Sequence, residues 1–208
     1  MKRRAFLAAP LLLSACGLAE RPYAERRQWP LIARRPRSET PRRGAPILLV
    51  RALRAGPGLE QRGLQSLESD GSIRSAFYEE WAAPPAQAVE EALRGWLADS
   101  GMYSAVIAPG SRMEADQVLE GELTGLWSIP ATGQAHIALG ITVLAQRPAT
   151  TRVLLQHRLT AEAPLAGNSV REAVEAQSAA LAVVLARVEA ALRGEAGDAG
   201  QARRPAGS

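Results

Sequence analysis

A single cysteine, Cys16, is the residue whose type and surroundings define a chemistry most clearly. Lys2, Arg3 and Arg4 come first, and the apolar run Ala5 to Leu13 follows. That run is too short to cross a hydrocarbon core as a helix, which takes about 20 apolar residues. It fits a cleaved export signal covering residues 1–15. The run ends in Leu13-Ser14-Ala15-Cys16, the pattern at which a bacterial thiol receives diacylglycerol before cleavage. Small residues at 14 and 15 let the peptidase reach the backbone. A lone free thiol in an exported chain would be a liability, and lipidation accounts for it. One acyl chain binds a membrane only marginally, so stable anchoring takes two or more. Gly17 stands where an Asp would favour retention at the inner membrane, so the sequence leans towards the outer one.

Other constellations carry less. His136 begins a strand on its exposed face and His157 sits on the apolar face of another; both read as structural. With one cysteine there is no Cys/His metal set, and no cofactor or metal is expected. The Gly-x-Ser-x-Gly elbow of common hydrolases is missing, as is a phosphate-cradling glycine loop. Glu79 with Glu80, or Glu120 with Glu122, form carboxylate pairs. Glu120 and Glu122 point the same way from a strand, and no neighbour is evident that would shift their pKa, so they read as a solvated face. The expectation is a protein that is not an enzyme. Among the four tryptophans, Trp96 belongs to a helix stripe and Trp81 staples a strand to that helix. Trp127 ends a strand near a turn and Trp29 lies upstream of the domain, so these two are the candidate partner contacts.

The elements that must position these residues follow from periodicity. Residues 17–46 are rich in Arg and Pro and read, with Cys16, as a tether. Within it Tyr23, Trp29, Leu31 and Ile32 are placed to pack as a short edge strand. Its arginines read as solvated or as lying on anionic head groups, at about 1 kcal/mol each. Ile47 to Leu53 is a buried strand bounded by Pro46 and Gly56. Strands over 62–68 and 73–79 flank the turn pair Asp70-Gly71. Pro84-Pro85 opens a helix with Val89, Ala92, Leu93, Trp96 and Leu97 on one stripe, closed by Gly101. A strand at 103–108 follows, then three long ones at 117–128, 134–146 and 152–162. In the last, Val153, Leu155, His157 and Leu159 are expected on one face. Ser169-Val170-Arg171-Glu172 is a capping box that opens a helix to about Leu192. The residues from 194 to 208 read as a disordered tail.

The result is a single α+β domain over 47–193, with two helices on one face of a mostly antiparallel sheet. Charge excludes a nucleic-acid role. The signal carries three basic residues and no acidic one, and residues 20–46 carry eight Arg against three Glu. Of the formal +4, the rest of the chain therefore holds −4, which is no nucleic-acid footprint.

In order and spacing these features resemble the ABC-type transport auxiliary lipoproteins, over roughly residues 13–192. The features are the lipobox, the first strand Ile47–Leu53, the hairpin at Asp70-Gly71 and the segment Tyr78-Glu79-Glu80-Trp81-Ala82 running into a helix. A strand alternating Glu and apolar residues over 118–127 and a final Ala/Val/Leu-rich helix complete the series. The chain departs from the family in its long Arg/Pro segment containing Trp29-Pro30-Leu31 and in the loop Gly56-Pro57-Gly58-Leu59.

The resemblance implies a non-enzymatic component of a lipid transporter of the MCE (mammalian cell entry) type, facing the periplasm. Its partners would be an MCE-domain protein with an ABC permease and ATPase, and it would dock or position the MCE tunnel. Homo-oligomerisation stays open. Two other readings stand beside it: an outer-membrane assembly factor or activator that binds another envelope protein, and a carrier holding a lipid between sheet and helices.

Overall fold

The computed structural model describes residues 25–147 and 150–201. Among these residues the elements are β1 Arg27–Trp29, β2 Ile47–Val50, β3 Arg54–Ala55, β4 Gly63–Leu67, β5 Ile73–Trp81, α1 Pro85–Ala98, β6 Ala105–Ile107, β7 Gln117–Ile129, β8 Gln134–Arg147, β9 Thr150–Pro164 and α2 Val170–Gln201. The signal and Cys16 lie outside the described residues, as do Tyr23 and two residues of the last turn, Pro148 and Ala149.

β7 is the spine. One flank pairs antiparallel with β8, and β8 pairs antiparallel with β9, as the alternating pattern predicts. Along its other flank β2, β3 and β4 lie end to end, each parallel to β7: Leu49 faces Val118, Ala55 faces Leu123 and Ser66 faces Ser128. β6 adds in parallel to β2, and β1 adds in parallel to β5. β5 is antiparallel to β4 across the turn, where Gly71 takes a φ of 85°. The sheet is therefore mixed, and the mostly antiparallel sheet expected from the sequence is corrected. α1 is the reason. It carries the chain over the sheet between β5 and β6, so the next long strand runs in the direction of β2 to β4. Alternation records which face a side chain takes, not which way its strand points.

Both helices cover one face. Leu48, Val50, Leu119, Leu123, Ile137 and Leu139 point into that layer and are fully buried against Val89, Leu93 and Leu97 of α1 and Leu181, Val184 and Leu185 of α2. α1 begins on Pro85, where a missing N–H costs nothing. α2 begins on the expected capping box: Ser169 N donates to Glu172 Oε2 at 2.9 Å, and Glu172 N donates to Ser169 Oγ at 3.3 Å. The helix continues past Leu192 to Gln201, because Glu195, Ala196 and Ala199 between the glycines still favour it.

A slip in register between Val143 and Leu144 leaves Leu154 unpaired on β9. Leu155 thereby faces the core while Val153 turns to the other side, 57% exposed. His157 keeps the face of Leu155 and Leu159, opposite Ile141 as the alternation suggests, and is exposed because β9 is the outermost strand.

The segment before β2 is fastened by one carboxylate. Glu189, on the apolar face of α2 and only 7% exposed, accepts from three side chains. Arg35 donates through Nε at 2.9 Å and Nη2 at 3.1 Å. Arg193 donates through Nε at 2.9 Å and Nη2 at 2.8 Å. Trp96 of α1 adds its indole N–H at 2.8 Å. Around them Arg35 bonds Glu39, Ser38 Oγ donates to Asp99 at 3.0 Å, and Glu39 N donates to the Asp99 carbonyl at 2.8 Å. Gly101 permits the contact. Its φ is 68°, and a Cβ there would stand 2.8 Å from the Glu39 Cβ. Residues 35–39 are thus bolted across the meeting point of the two helices.

Burial alone would raise the Glu189 pKa, but the guanidiniums of Arg35 and Arg193 and the Trp96 N–H outweigh it and hold it below the usual range. The same contacts raise Arg35. Removing one member of a buried charge cluster costs about 3–5 kcal/mol, because the others are left unpaired. Glu189→Gln is expected to lose about that much at pH 7 in urea unfolding. Because the folded pKa lies below the unfolded value of about 4.3, this stability is present above that pH and lost as pH falls through the folded value. The gap between wild type and variant should therefore narrow on acidification, and a gap that stays constant down to strongly acid pH would show that charge is not what holds the clamp. Trp96→Ala, which also empties a core site, should cost about 3–5 kcal/mol; a loss under about 1 kcal/mol would contradict its burial.

Candidate docking surfaces

Among the described residues no group of His, Cys, Asp and Glu is arranged to hold a metal, and no helix is long and apolar enough to cross a membrane. What the fold offers is surfaces. The first is the edge formed by β1 and β5. Trp29 pairs in register with Trp81 and donates its indole N–H to Glu79 Oε2 at 2.6 Å. Arg27 donates to the other oxygen of Glu79 through Nε at 2.9 Å, and Arg26 bonds Glu80 at 2.9 Å. Trp29 is half-buried and tied down, and Leu31 is buried beside it, while Ile32 is half exposed. The packing expected of this short strand is present for Trp29 and Leu31.

Further along the same edge β5 departs from regular pairing. Between Gly63 and Gln65 on β4 lies one residue, whereas between their partners Glu80 and Ser75 on β5 lie four. The extra length forms a bulge containing Phe77 and Tyr78, which are 65% and 48% exposed. Consecutive residues of a regular strand point to opposite faces. Here their rings meet edge to face with centroids 4.9 Å apart. Sequence reasoning passed over this pair. The available signal was two adjacent aromatics in an alternating strand, of which one must face solvent.

The second surface is the sheet face that carries no helix. Trp127 lies there, half-buried and stacked on His136 with centroids 5.2 Å apart, and His136 faces Glu162 across the next strand at 3.5 Å. A polar field adjoins this row. Arg51 pairs with Glu120, and Arg54 pairs with Glu122 at 3.1 Å. The two carboxylates are a solvated strand face, each with an arginine on top. Beyond them the register aligns Ile107, Leu49, Val118, Leu144 and Val153 in one apolar row across five strands. Trp29 and Trp127, the two partner contacts suggested by the sequence, therefore occupy separate surfaces and form no common site.

The described residues also form recesses. One of about 350 Å³ opens at the end of α2 between Met102, Leu154, Leu155 and Leu192, with Arg42 and Arg193 also lining it. Tyr103 in its wall has its pKa raised by burial. It lies at the low end of the roughly 300–1,000 Å³ of small-molecule sites. Another, about 610 Å³, runs between the β4–β5 hairpin and the start of α2. Its wall includes Gln177, which donates to Ser128 Oγ at 2.9 Å.

Solved structures with this fold are similar over most of the chain. Protein XCC0632 from Xanthomonas campestris superposes with a TM-score of 0.67 at 20% identity, covering 82% of this chain and 95% of its own. The protein CT253 from Chlamydia trachomatis gives 0.50 at 12% identity, covering 71% and 98%. At these identities the likeness concerns the fold. No curated protein matches the sequence. The model of one family matches residues 31–189, a stretch that begins at the buried Leu31 and ends on the clamp carboxylate Glu189. The chain accordingly belongs to the family of ABC-type transport auxiliary lipoprotein components, a family of accessory envelope proteins with no enzymatic assignment.

Proposed function

We propose that this protein is the membrane-anchored accessory subunit of an MCE-type ABC system that moves lipid across the bacterial envelope. It would be held on the periplasmic side by lipid on Cys16, with the outer membrane as the favoured site. The observation that carries the reading is the family match over residues 31–189, which takes in α1, most of α2, most of the sheet and the clamp residues Arg35, Trp96 and Glu189. The N-terminal Leu13-Ser14-Ala15-Cys16 supplies the anchor. The work is binding and positioning. The surfaces suit it, because their charges are largely paired within the protein and leave aromatic and apolar side chains to make outside contacts. Trp127 on the helix-free face and Trp29 at the β1 edge are the proposed contact points for the MCE-domain protein.

A mild-detergent pull-down of the tagged protein from its native membranes is expected to recover an MCE-domain protein with its permease and ATPase. Recovery of cell-wall synthases or lipopolysaccharide-assembly proteins instead would replace the transport reading with the assembly-factor one. Cys16→Ser is expected to release the protein from the membrane fraction and to remove the acyl mass; a variant that still fractionates with membranes, its modification unchanged, would sink the anchor. Trp127→Ala should weaken partner capture at least about tenfold if it is an interface anchor, with little change in urea midpoint. Undiminished capture would remove Trp127 from the interface.

A further inference from the structure

We propose that the bulged edge of β5, with Phe77 and Tyr78 at its centre, rests in the head-group region of the bilayer that holds the Cys16 lipid. The inference rests on the anchor reading above and adds an orientation to it.

Three observations carry it. The first is position. The Arg26 guanidinium lies over the Phe77 ring at 4.6 Å, so the first described residues stand beside the aromatic pair. Cys16 is ten residues upstream of Arg26, a reach of at most about 35 Å. The bilayer that holds the lipid is therefore within reach of this edge. The second is shape. The bulge sets two consecutive aromatic side chains ring to ring and pushes them outward. Ile73, 48% exposed, stands on the same strand. This is a protrusion, suited to entering a soft interface. The third is charge. Arg26 is paired with Glu80, Arg27 with Glu79, and Arg74 with Glu68 at 2.7 Å. The edge is close to neutral and offers nothing to an acidic polymer. An aromatic pair in which Tyr78 carries a polar handle, flanked by arginines whose charges are already matched, suits the interfacial zone of a zwitterionic bilayer.

The anchor makes weak insertion sufficient. A domain already tethered meets the surface at high effective concentration, so the rings need only select one orientation out of many. With this edge down, the Trp127 and His136 row, on the opposite side of β4 from β5, stays clear of the lipid.

The test uses the full lipidated chain in phosphatidylcholine vesicles. With Cys16 acylated, Ser75→Cys supplies one free thiol beside the intact aromatic pair, and Gln156→Cys on the helix-free face supplies a control. Each is labelled with an environment-sensitive nitrobenzoxadiazole dye. The dye at 75 is expected to shift to the blue and to lose most of its quenching by aqueous iodide, and the dye at 156 is not. Phe77→Ser with Tyr78→Ser should restore quenching at 75. Intact mass on the same samples reads the acyl chains. A dye at 75 that remains as quenched as the one at 156, on an acylated chain, overturns the membrane edge and leaves the anchor standing. Protection at 75 that persists without the two aromatic rings also overturns it. A chain without acyl groups overturns both readings.

Discussion

The carboxylate of Glu189 is the interaction on which the arrangement of this protein depends. It sits where the first helix, the end of the second and the incoming segment meet, and it accepts from Arg35, Arg193 and Trp96, one group from each of these elements. A buried carboxylate is unfavourable unless its lone pairs are filled. Here the donors are charged or are drawn from the core itself, so the desolvation cost is met locally. The consequence is mechanical. On the proposed anchor, load from the N-terminus enters the domain near β1, and a three-residue strand is a poor place to receive it. The clamp hands that load to α2, which is packed along three long strands.

The sheet solves a related problem. β2, β3 and β4 together flank one long strand, and that demands close approach at the joints between them. Gly56 is one such place: its N–H donates to the Leu123 carbonyl at 2.8 Å, and a Cβ there would stand 2.9 Å from that same oxygen. At Gly121 a Cβ would stand 2.6 Å from the Gly140 carbonyl and 2.9 Å from Leu53. These contacts let β2, β3 and β4 follow β7 from the clamp end to the hairpin.

Much of this was legible in the sequence, and what was not has physical causes. The capping box at Ser169, the proline opening of α1, the Asp70-Gly71 turn and the alternation through β7 and β8 are local signals, and they located their elements well. Strand direction is not local. It depends on where a helix crosses the sheet, so the parallel pairing of β2 to β4 with β7 left no trace in the alternation. Bulges escape for a similar reason: the extra residue in β9 at Leu154 moves Val153 to the other face without changing composition. The clamp had one readable sign, a Glu between Val188 and Leu192 on an otherwise apolar stripe, while its partners lie far apart along the chain. The two tryptophans chosen for exposure are each half-buried, one tied to Glu79 and one stacked on His136. Among the described residues the most exposed aromatics are Phe77 and Tyr78, which a regular strand would have separated.

Paired charge is what makes the remaining surfaces interpretable. Along the β1–β5 edge and on the helix-free face, arginine and glutamate face one another at short range: Arg26 with Glu80, Arg51 with Glu120, Arg54 with Glu122. Exposed pairs of this kind add little stability, about 0–1 kcal/mol each. Their larger effect is to cancel the long-range field of a chain that is strongly basic over residues 26–43. A neutralised surface does not steer partners from a distance; it selects them at contact, by shape and by aromatic side chains. For an accessory subunit held at a membrane, as proposed above, this suffices. Confinement already supplies proximity, so the surface has only to discriminate and to hold a fixed orientation. The edge that carries Phe77 and the face that carries Trp127 lie on opposite sides of β4, in one continuous sheet. On the proposed reading, one contact fixes the domain to the bilayer and the other presents it to the transporter, and the sheet between them turns two weak contacts into a defined position.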